Sequence, residues 1–221
     1  DIFRLTGLLN NYQGSILTTL PIYVQSEKMK MVQFNEIKGL MNLSNLLGKV
    51  NVHLELLSGK ELISTQDSNE VCIGGPLSNE ASNIYMKMYV PQFRCIIKSN
   101  ADFFTREDVN FFIDMATESE DGKEYFILGD TRLSFAQDGN GEWGFILKID
   151  KGYNNYCYIF FGETSVGTLA IIDFFCQNYS RIYDRFLNNP FFMAIKMNVK
   201  GRMIADMKSL MDFSNLICPD L

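Results

Sequence analysis

Residues 70–80 read EVCIGGPLSNE, an apolar run that breaks into a Gly-Gly-Pro turn and continues as a polar segment. A short apolar run that is bounded by Gly and Pro is typical of a buried strand. Ser78 or Asn79 then offers a side chain that can cap the first turn of a helix. The stretch therefore predicts a strand, a turn and a helix, the unit from which α/β sheets are built.

A second stretch repeats this order. Residues 156–168 read YCYIFFGETSVGT, in which an apolar strand ends at Gly162 and a helix begins after Thr164. In open α/β sheets, ligands bind at the carboxyl ends of the strands, and the N-terminus of the next helix offers unpaired N–H groups to an anion. We therefore expect the two turns to form two sides of one cleft.

Strand and helix patterns alternate along the chain. Apolar residues recur at helical spacing over residues 34–47, whereas residues 50–57 alternate as a strand does. The predicted fold is α/β, with a doubly wound, mostly parallel, Rossmann-like sheet and helices on both faces. Turn residues at 138–141 predict an antiparallel hairpin insertion near residues 124–149. Residues 15–25 are rich in β-forming residues, and Pro21 among them predicts either an edge strand or a strand that starts late.

The domain prediction has three parts. Residues 1–14 form a lead-in segment, residues 15–200 one Rossmann-like domain, and residues 201–221 a weakly helical C-terminal tail. A chain of 221 residues fits a single domain with short extensions. Because the sequence begins at Asp1 rather than Met, we expect a piece of a longer protein.

The composition limits the kinds of partner that this protein is expected to bind. The net charge is −6, the pI is about 4.9, and there is no block of Lys and Arg long enough to neutralise a run of phosphates, so nucleic acid is not expected. There is neither a signal peptide nor an apolar run of about 18 residues, so no membrane contact is expected. The five scattered cysteines indicate a reducing, cytoplasmic location. No cofactor is expected, and both a homodimer and a larger multidomain chain stay open.

The predicted ligand-binding residues come from the two turns. Glycines let a ligand approach the main chain, and the hydroxyl and amide side chains offer hydrogen bonds. Neither turn has the Gly-Lys-Ser/Thr ending of a Walker loop or a G-x-G-x-x-G pattern. The competing interpretation is that the glycines only make tight turns and the polar side chains only cap helices. The set comprises Gly74, Gly75, Pro76, Ser78, Asn79, Gly162, Thr164, Ser165, Gly167 and Thr168.

Glu163 is the candidate catalytic residue. A carboxylate at the carboxyl end of a strand is where enzymes that break N-glycosidic bonds hold a nucleophile or a charge stabiliser. Such an enzyme also needs a second acid or a tyrosine, and the sequence offers Asp130, Glu142 and Tyr158. Glu80 is an alternative, although acidic residues are favoured in a first helical turn through the helix dipole alone.

The sequence gives little support for catalysis by histidine or for metal binding. His53 is the only histidine and has no nucleophile elbow beside it. There is no second imidazole for a metal, and no cysteine pair has the spacing of a zinc knuckle. The sequence therefore predicts no metal site.

These turns resemble an uncharacterised Rossmann-like domain of bacterial and archaeal proteins. The resemblance rests on the Gly74-Gly75-Pro76-x-x-Asn79 turn, on Trp143-Gly144 opening a later strand, and on Gly162 followed by Gly167-Thr168. Members carry an Asp where this chain has Glu142. The resemblance implies a Rossmann-like fold and, through the wider group of nucleoside deoxyribosyltransferases and TIR domains, a nucleotide-like ligand.

Three functions follow, in order of preference. The first is a sensor or regulatory domain that binds a small nucleotide-like or phosphorylated molecule between the two turns. The second is an enzyme that cleaves nucleosides or NAD at the N-glycosidic bond with Glu163. The third is an interaction domain of a larger protein.

Overall fold

A seven-stranded sheet forms the centre of the molecule in the computed structural model, which describes residues 2–21, 23–26, 29–57, 68–98, 115–135, 141–198 and 204–218. In chain order its strands are β1 (Gly14–Thr19), β4 (Val52–Leu56), β5 (Glu70–Ile73), β10 (Glu142–Gly152), β11 (Asn155–Gly162), β12 (Phe191–Asn198) and β13 (Ile204–Asp212). Their spatial order is β13-β12-β10-β11-β5-β1-β4. The half from β4 to β11 is parallel, and β10, β12 and β13 pair antiparallel.

Six further strands among the described residues lie outside this sheet. A two-stranded hairpin joins β2 (Tyr23–Ser26) and β3 (Met29–Met31). A four-stranded sheet has the order β7-β6-β8-β9, formed by β6 (Phe93–Ile97), β7 (Ala116–Glu118), β8 (Tyr125–Leu128) and β9 (Thr131–Ser134). The four described α-helices are α1 (Ile2–Leu8), α2 (Phe34–Leu47), α3 (Glu80–Tyr89) and α4 (Ser165–Phe186).

The two faces of the large sheet bury different partners. Successive side chains of a strand point to opposite faces, so Val71 and Ile73 pack into one core while Cys72 packs into the other. Helices α1, α2 and α4 cover the first face. Helix α3 and the four-stranded sheet cover the second. Burial on both faces explains why β5 and β11 are apolar runs rather than alternating ones.

The α/β class predicted from the sequence is confirmed, with differences in detail. Strand β1 lies inside the sheet between β5 and β4, because Pro21 follows the strand and removes no donor from its ladders. The tail predicted as weakly helical instead forms β13, which pairs with β12. In the hairpin region, β8 and β9 belong to the small sheet while Glu142–Gly152 joins the large one; residues 138–140 lie outside the described part. No helix among the described residues is long and apolar enough to cross a membrane.

Candidate functional site at the carboxyl ends of two parallel strands

A cavity of about 330 Å³ lies between the turn that follows β5 and the turn that follows β11. Strands β5 and β11 are parallel neighbours, so their carboxyl ends meet at one edge of the sheet. The structure thus brings the two sequence stretches together. From the predicted set, the residues that line the cavity are Gly75, Pro76, Ser78, Gly162, Thr164, Ser165 and Thr168, and Glu163 lines it as well.

The turn after β11 presents polar side chains to the cavity because of how α4 begins. The Thr164 hydroxyl accepts from the Gly167 N–H at 3.2 Å, which caps the helix, and donates to Glu142 Oε2 at 2.7 Å. Thr168 Oγ1 accepts from the Gly162 N–H at 3.1 Å. A Cβ on Gly162 would lie 2.4 Å from the carbonyl carbon of Gly167. Only glycine therefore lets the strand end pass this close to the helix.

The turn after β5 uses its polar side chains for scaffolding. The Asn79 side chain is buried, and its amide donates to the Ile73 carbonyl at 2.8 Å. Its Oδ1 accepts from the Ala81 N–H at 3.0 Å, which caps α3. Gly74 has a φ of +99° and packs against Pro21. Asn79 and Gly74, like Gly167 in the other turn, do not line the cavity.

Glu163 lies half-buried in the cavity wall. Its Oε1 accepts from the Trp143 N–H at 2.8 Å, and its own N–H donates to the Trp143 carbonyl at 3.1 Å. Of the residues predicted to assist Glu163, Tyr158 is buried in the core that α1, α2 and α4 cover. Its hydroxyl donates to the Leu8 carbonyl. Glu142 and Asp130 do not line the cavity, although Glu142 accepts from the hydroxyl of Thr164, which does. Glu142 is therefore the sequence-based partner that adjoins the cavity wall.

A second carboxylate that the sequence reasoning missed does line the cavity. Glu36, buried in the first turn of α2, accepts from the Gln33 N–H at 3.3 Å, and Gln33 also lines the cavity. A Gln-x-x-Glu spacing before an amphipathic helix indicates a capping box. This signal places Glu36 at a helix start, but nothing local to it shows that α2 begins beside the two turns.

The floor of the cavity is aromatic. It comprises Phe161 at the end of β11 and Phe126 and Phe135 near the small sheet, with Cys95 beside them. Phe126 and Phe161 are buried, while Phe135 is half-buried and has its ring centroid 4.4 Å from that of Phe126. Burial raises the pKa of the Cys95 thiol, which keeps it uncharged and a poor nucleophile.

Two carboxylates, those of Glu36 and Glu163, line the cavity, and each has hydrogen-bond partners in the protein. The N-terminus of α4 carries a partial positive charge of about half a unit, which favours an anion near its first turn.

A contrasting polar cluster lies at the amino ends of the same strands. The buried Glu70 carboxylate pairs with Lys151 and accepts from the hydroxyl groups of Tyr85 and Ser68. Lys151 also donates to the Ser68 carbonyl at 2.9 Å. Burial raises the pKa of Glu70, and the hydrogen bonds from Lys151 and Tyr85 oppose that rise.

Two cysteines adjoin Glu70 without making a metal centre. Cys72 Sγ and Cys157 Sγ are 3.8 Å apart, and the three potential ligand atoms lie within 4.8 Å of one another. The Glu70 oxygens, however, already accept hydrogen bonds, and Lys151 supplies the positive charge. Burial also raises the pKa of Cys157, which disfavours the thiolate that a metal requires. We assign this cluster to the scaffold.

Comparison with protein-family models, with curated proteins and with solved structures gives no match.

Proposed function

We propose that this chain is a ligand-binding domain, of the sensor or regulatory kind, for a small nucleotide-like molecule held between the two turns. The observation that carries the proposal is the cavity itself, since Gly75 and Gly162, which are 87 residues apart in sequence, line one space. Its volume of about 330 Å³ lies in the range of small-molecule sites, which is about 300 to 1,000 Å³.

The lining favours the nucleoside part of such a molecule. Phe135 is half-buried and offers a ring against which a base can stack, a contact that contributes about 1 to 3 kcal/mol per base where it has been measured on aromatic platforms. The Ser165 hydroxyl, which accepts from Asn35, can donate to a ribose hydroxyl, and those of Ser78 and Thr164, whose protons go to Gly75 and Glu142, can still accept from one. A phosphate on the ligand would lie towards the first turn of α4, where the helix dipole favours an anion. The resemblance to Rossmann-like domains supports the same ligand class.

A thermal-shift panel of nucleosides, nucleotides and NAD tests this proposal. A ligand that binds only the folded state at about 100 times its dissociation constant stabilises it by about 2.7 kcal/mol, which raises the melting temperature. Ser165→Trp places an indole in the cavity and should abolish the response. Val166→Trp is the matched control, because Val166 is the next residue of α4, is exposed and does not line the cavity. No shift with any ligand, or equal shifts in both variants, would contradict the proposal.

The second candidate function is cleavage of an N-glycosidic bond. It is favoured by the presence of two carboxylates, Glu163 and Glu36, on one cavity, because glycosidic cleavage by paired acids needs two such groups. The test is release of free base from nucleosides or NAD. Glu163→Gln should abolish the release and Glu80→Gln, whose residue does not line the cavity, should retain it. Release that survives Glu163→Gln would exclude this mechanism.

A further inference from the structure

Strand β4 ends the large sheet, and its outer edge is unpaired within the described residues. β4 pairs with β1 on its inner side only, and the order of the sheet stops there. The exposed edge of a strand is a template for pairing with another chain, and proteins commonly block such edges with Pro, Lys or a bulge. The sequence of β4, VHLEL, contains neither Pro nor Lys.

The hydrogen bonds to β1 show which groups of β4 point outward. Gly14 donates to the Asn51 carbonyl, and Leu57 donates to the Thr18 carbonyl. In a strand, alternate residues direct both backbone groups to the same side. The odd-numbered residues of β4 therefore face β1. The N–H and C=O groups of Val52, Leu54 and Leu56 face outward.

The side chains of β4 are complementary to a second β4 in antiparallel orientation. With a two-fold axis at Leu54, Leu54 pairs with its own copy and Val52 pairs with Leu56, so every outward backbone group finds a partner. The same register sets His53 opposite Glu55 on both sides of the axis. Both side chains are exposed in the isolated chain. An axis at Glu55 would instead set two carboxylates opposite each other, which is unfavourable.

A groove adjoins this edge on the α2 side. Its volume is about 240 Å³, and it is lined by Leu40, Met41, Ser44 and Asn45 of α2 together with Leu54 and Leu56 of β4. Met41 is 60% exposed and Leu56 58% exposed. With the axis at Leu54, a second copy sets its own Leu54 and Val52 opposite Leu54 and Leu56, and burial of the exposed Leu56 would add hydrophobic stabilisation to the backbone pairing.

We propose that the outer edge of β4 binds a second copy of this chain, in an antiparallel pairing centred on Leu54 that joins two seven-stranded sheets into one. The dimer is isologous: His53 of each copy contacts Glu55 of the other. The cavity between the turns lies away from this edge, beyond β1 in the sheet order, so the proposal is independent of the ligand.

Sedimentation equilibrium of the wild type and of charge variants tests the pairing and its register. The wild type should dimerise at micromolar concentration. His53→Glu sets carboxylates opposite each other at two places and should weaken the dimer about tenfold or more, since opposed like charges replace two favourable cross-strand pairs. The double variant His53→Glu with Glu55→Lys sets a carboxylate opposite an ammonium group at both places and should recover wild-type affinity within about threefold.

A proline variant tests whether dimerisation depends on the backbone groups of the β4 edge. Leu56→Pro removes an outward N–H that β1 does not use, so the fold should persist by circular dichroism while dimerisation is lost. A wild type that stays monomeric would overturn the proposal. So would a dimer that survives both His53→Glu and Leu56→Pro, or a double variant that fails to recover.

Discussion

Two glutamates at opposite ends of the β5–β11 pair show how the same side chain becomes scaffold in one place and a candidate functional group in another. Glu70 begins β5, is fully buried, and has Lys151 as counter-ion with two hydroxyl donors. Glu163 follows β11, is half-buried, and lines a cavity with a second carboxylate, Glu36.

The difference lies in what surrounds each carboxylate. Glu70 is fully enclosed, and its cation, Lys151, comes from the protein itself. Glu163 is half-buried and borders a space that a small molecule could fill. Changes near Glu70 should therefore affect stability, whereas changes near Glu163 should affect binding.

Loss of the Glu70 counter-ion should have the largest effect. Lys151→Met leaves a buried carboxylate without its cation, and breaking such a pair costs about 3 to 5 kcal/mol of unfolding free energy. Urea denaturation at neutral pH measures this loss. Glu163→Gln is the control and should cost less than about 1 kcal/mol, because the amide oxygen can still accept from the Trp143 N–H. Equal losses of unfolding free energy in the two variants would contradict the proposed difference between Glu70 and Glu163.

Loss of the α3 cap should lower the free energy of unfolding more than loss of the α4 cap does. Asn79→Ala removes a helix cap and leaves the Ile73 carbonyl unpaired, for a total of about 3 kcal/mol. Thr164→Ala removes a cap and an exposed hydrogen bond to Glu142, and should cost about 1 kcal/mol because both lie at an exposed position. Urea denaturation of the two variants gives the ranking. A larger loss for Thr164→Ala would show that the second turn is also scaffold.

The end of β11 lies so close to α4 that no side chain should fit at Gly162. Gly162→Ala sets a methyl group against the main chain of Gly167 and Thr168, and overpacking of this kind costs about 1 to 3 kcal/mol. Gly48→Ala is the matched control, since no atom lies within 4 Å of its Cβ position and its φ is −57°. It should stabilise the protein by about 0.5 kcal/mol. Thermal or urea unfolding that ranks the two variants equally would contradict the observed packing.

The smallest effect is a dependence of stability on pH. Burial raises the pKa of Glu70 above its ordinary value of 4.5, so the folded state binds its proton more tightly than the unfolded state does. The stability that this proton contributes is present below pH 4.5 and is lost as the pH rises through the folded pKa. The difference in unfolding free energy between wild type and Glu70→Gln should therefore change over this window. A difference that is independent of pH would contradict the shift.

The sequence predicted the parts of this arrangement that depend on neighbouring residues. The strand-turn-helix units around Gly75 and Gly162 follow from apolar runs, glycines and caps within a dozen residues. That both units share one edge follows from the parallel pairing of their strands, which the alternation of elements indicated. The α/β class was predictable for the same reason.

The rest depends on contacts that are distant in the chain. Glu36 and Phe126 enter the cavity from α2 and the small sheet, and no local pattern links them to the turns. The partners Glu70 and Lys151 are 81 residues apart. Strand β13 was predicted as helical because its pattern is weak, and pairing with β12 determines its structure. Asn79 is among the predicted ligand-binding residues because the chain sequence does not show that its amide side chain points into the fold.

The most direct measurement is calorimetric titration of the protein with a nucleoside, repeated on Ser165→Trp and on the control Val166→Trp. If the cavity is an open binding site, the nucleoside should bind the wild type and Val166→Trp and should fail to bind Ser165→Trp. Binding that survives Ser165→Trp, loss of binding in Val166→Trp, or no binding to the wild type would contradict this assignment.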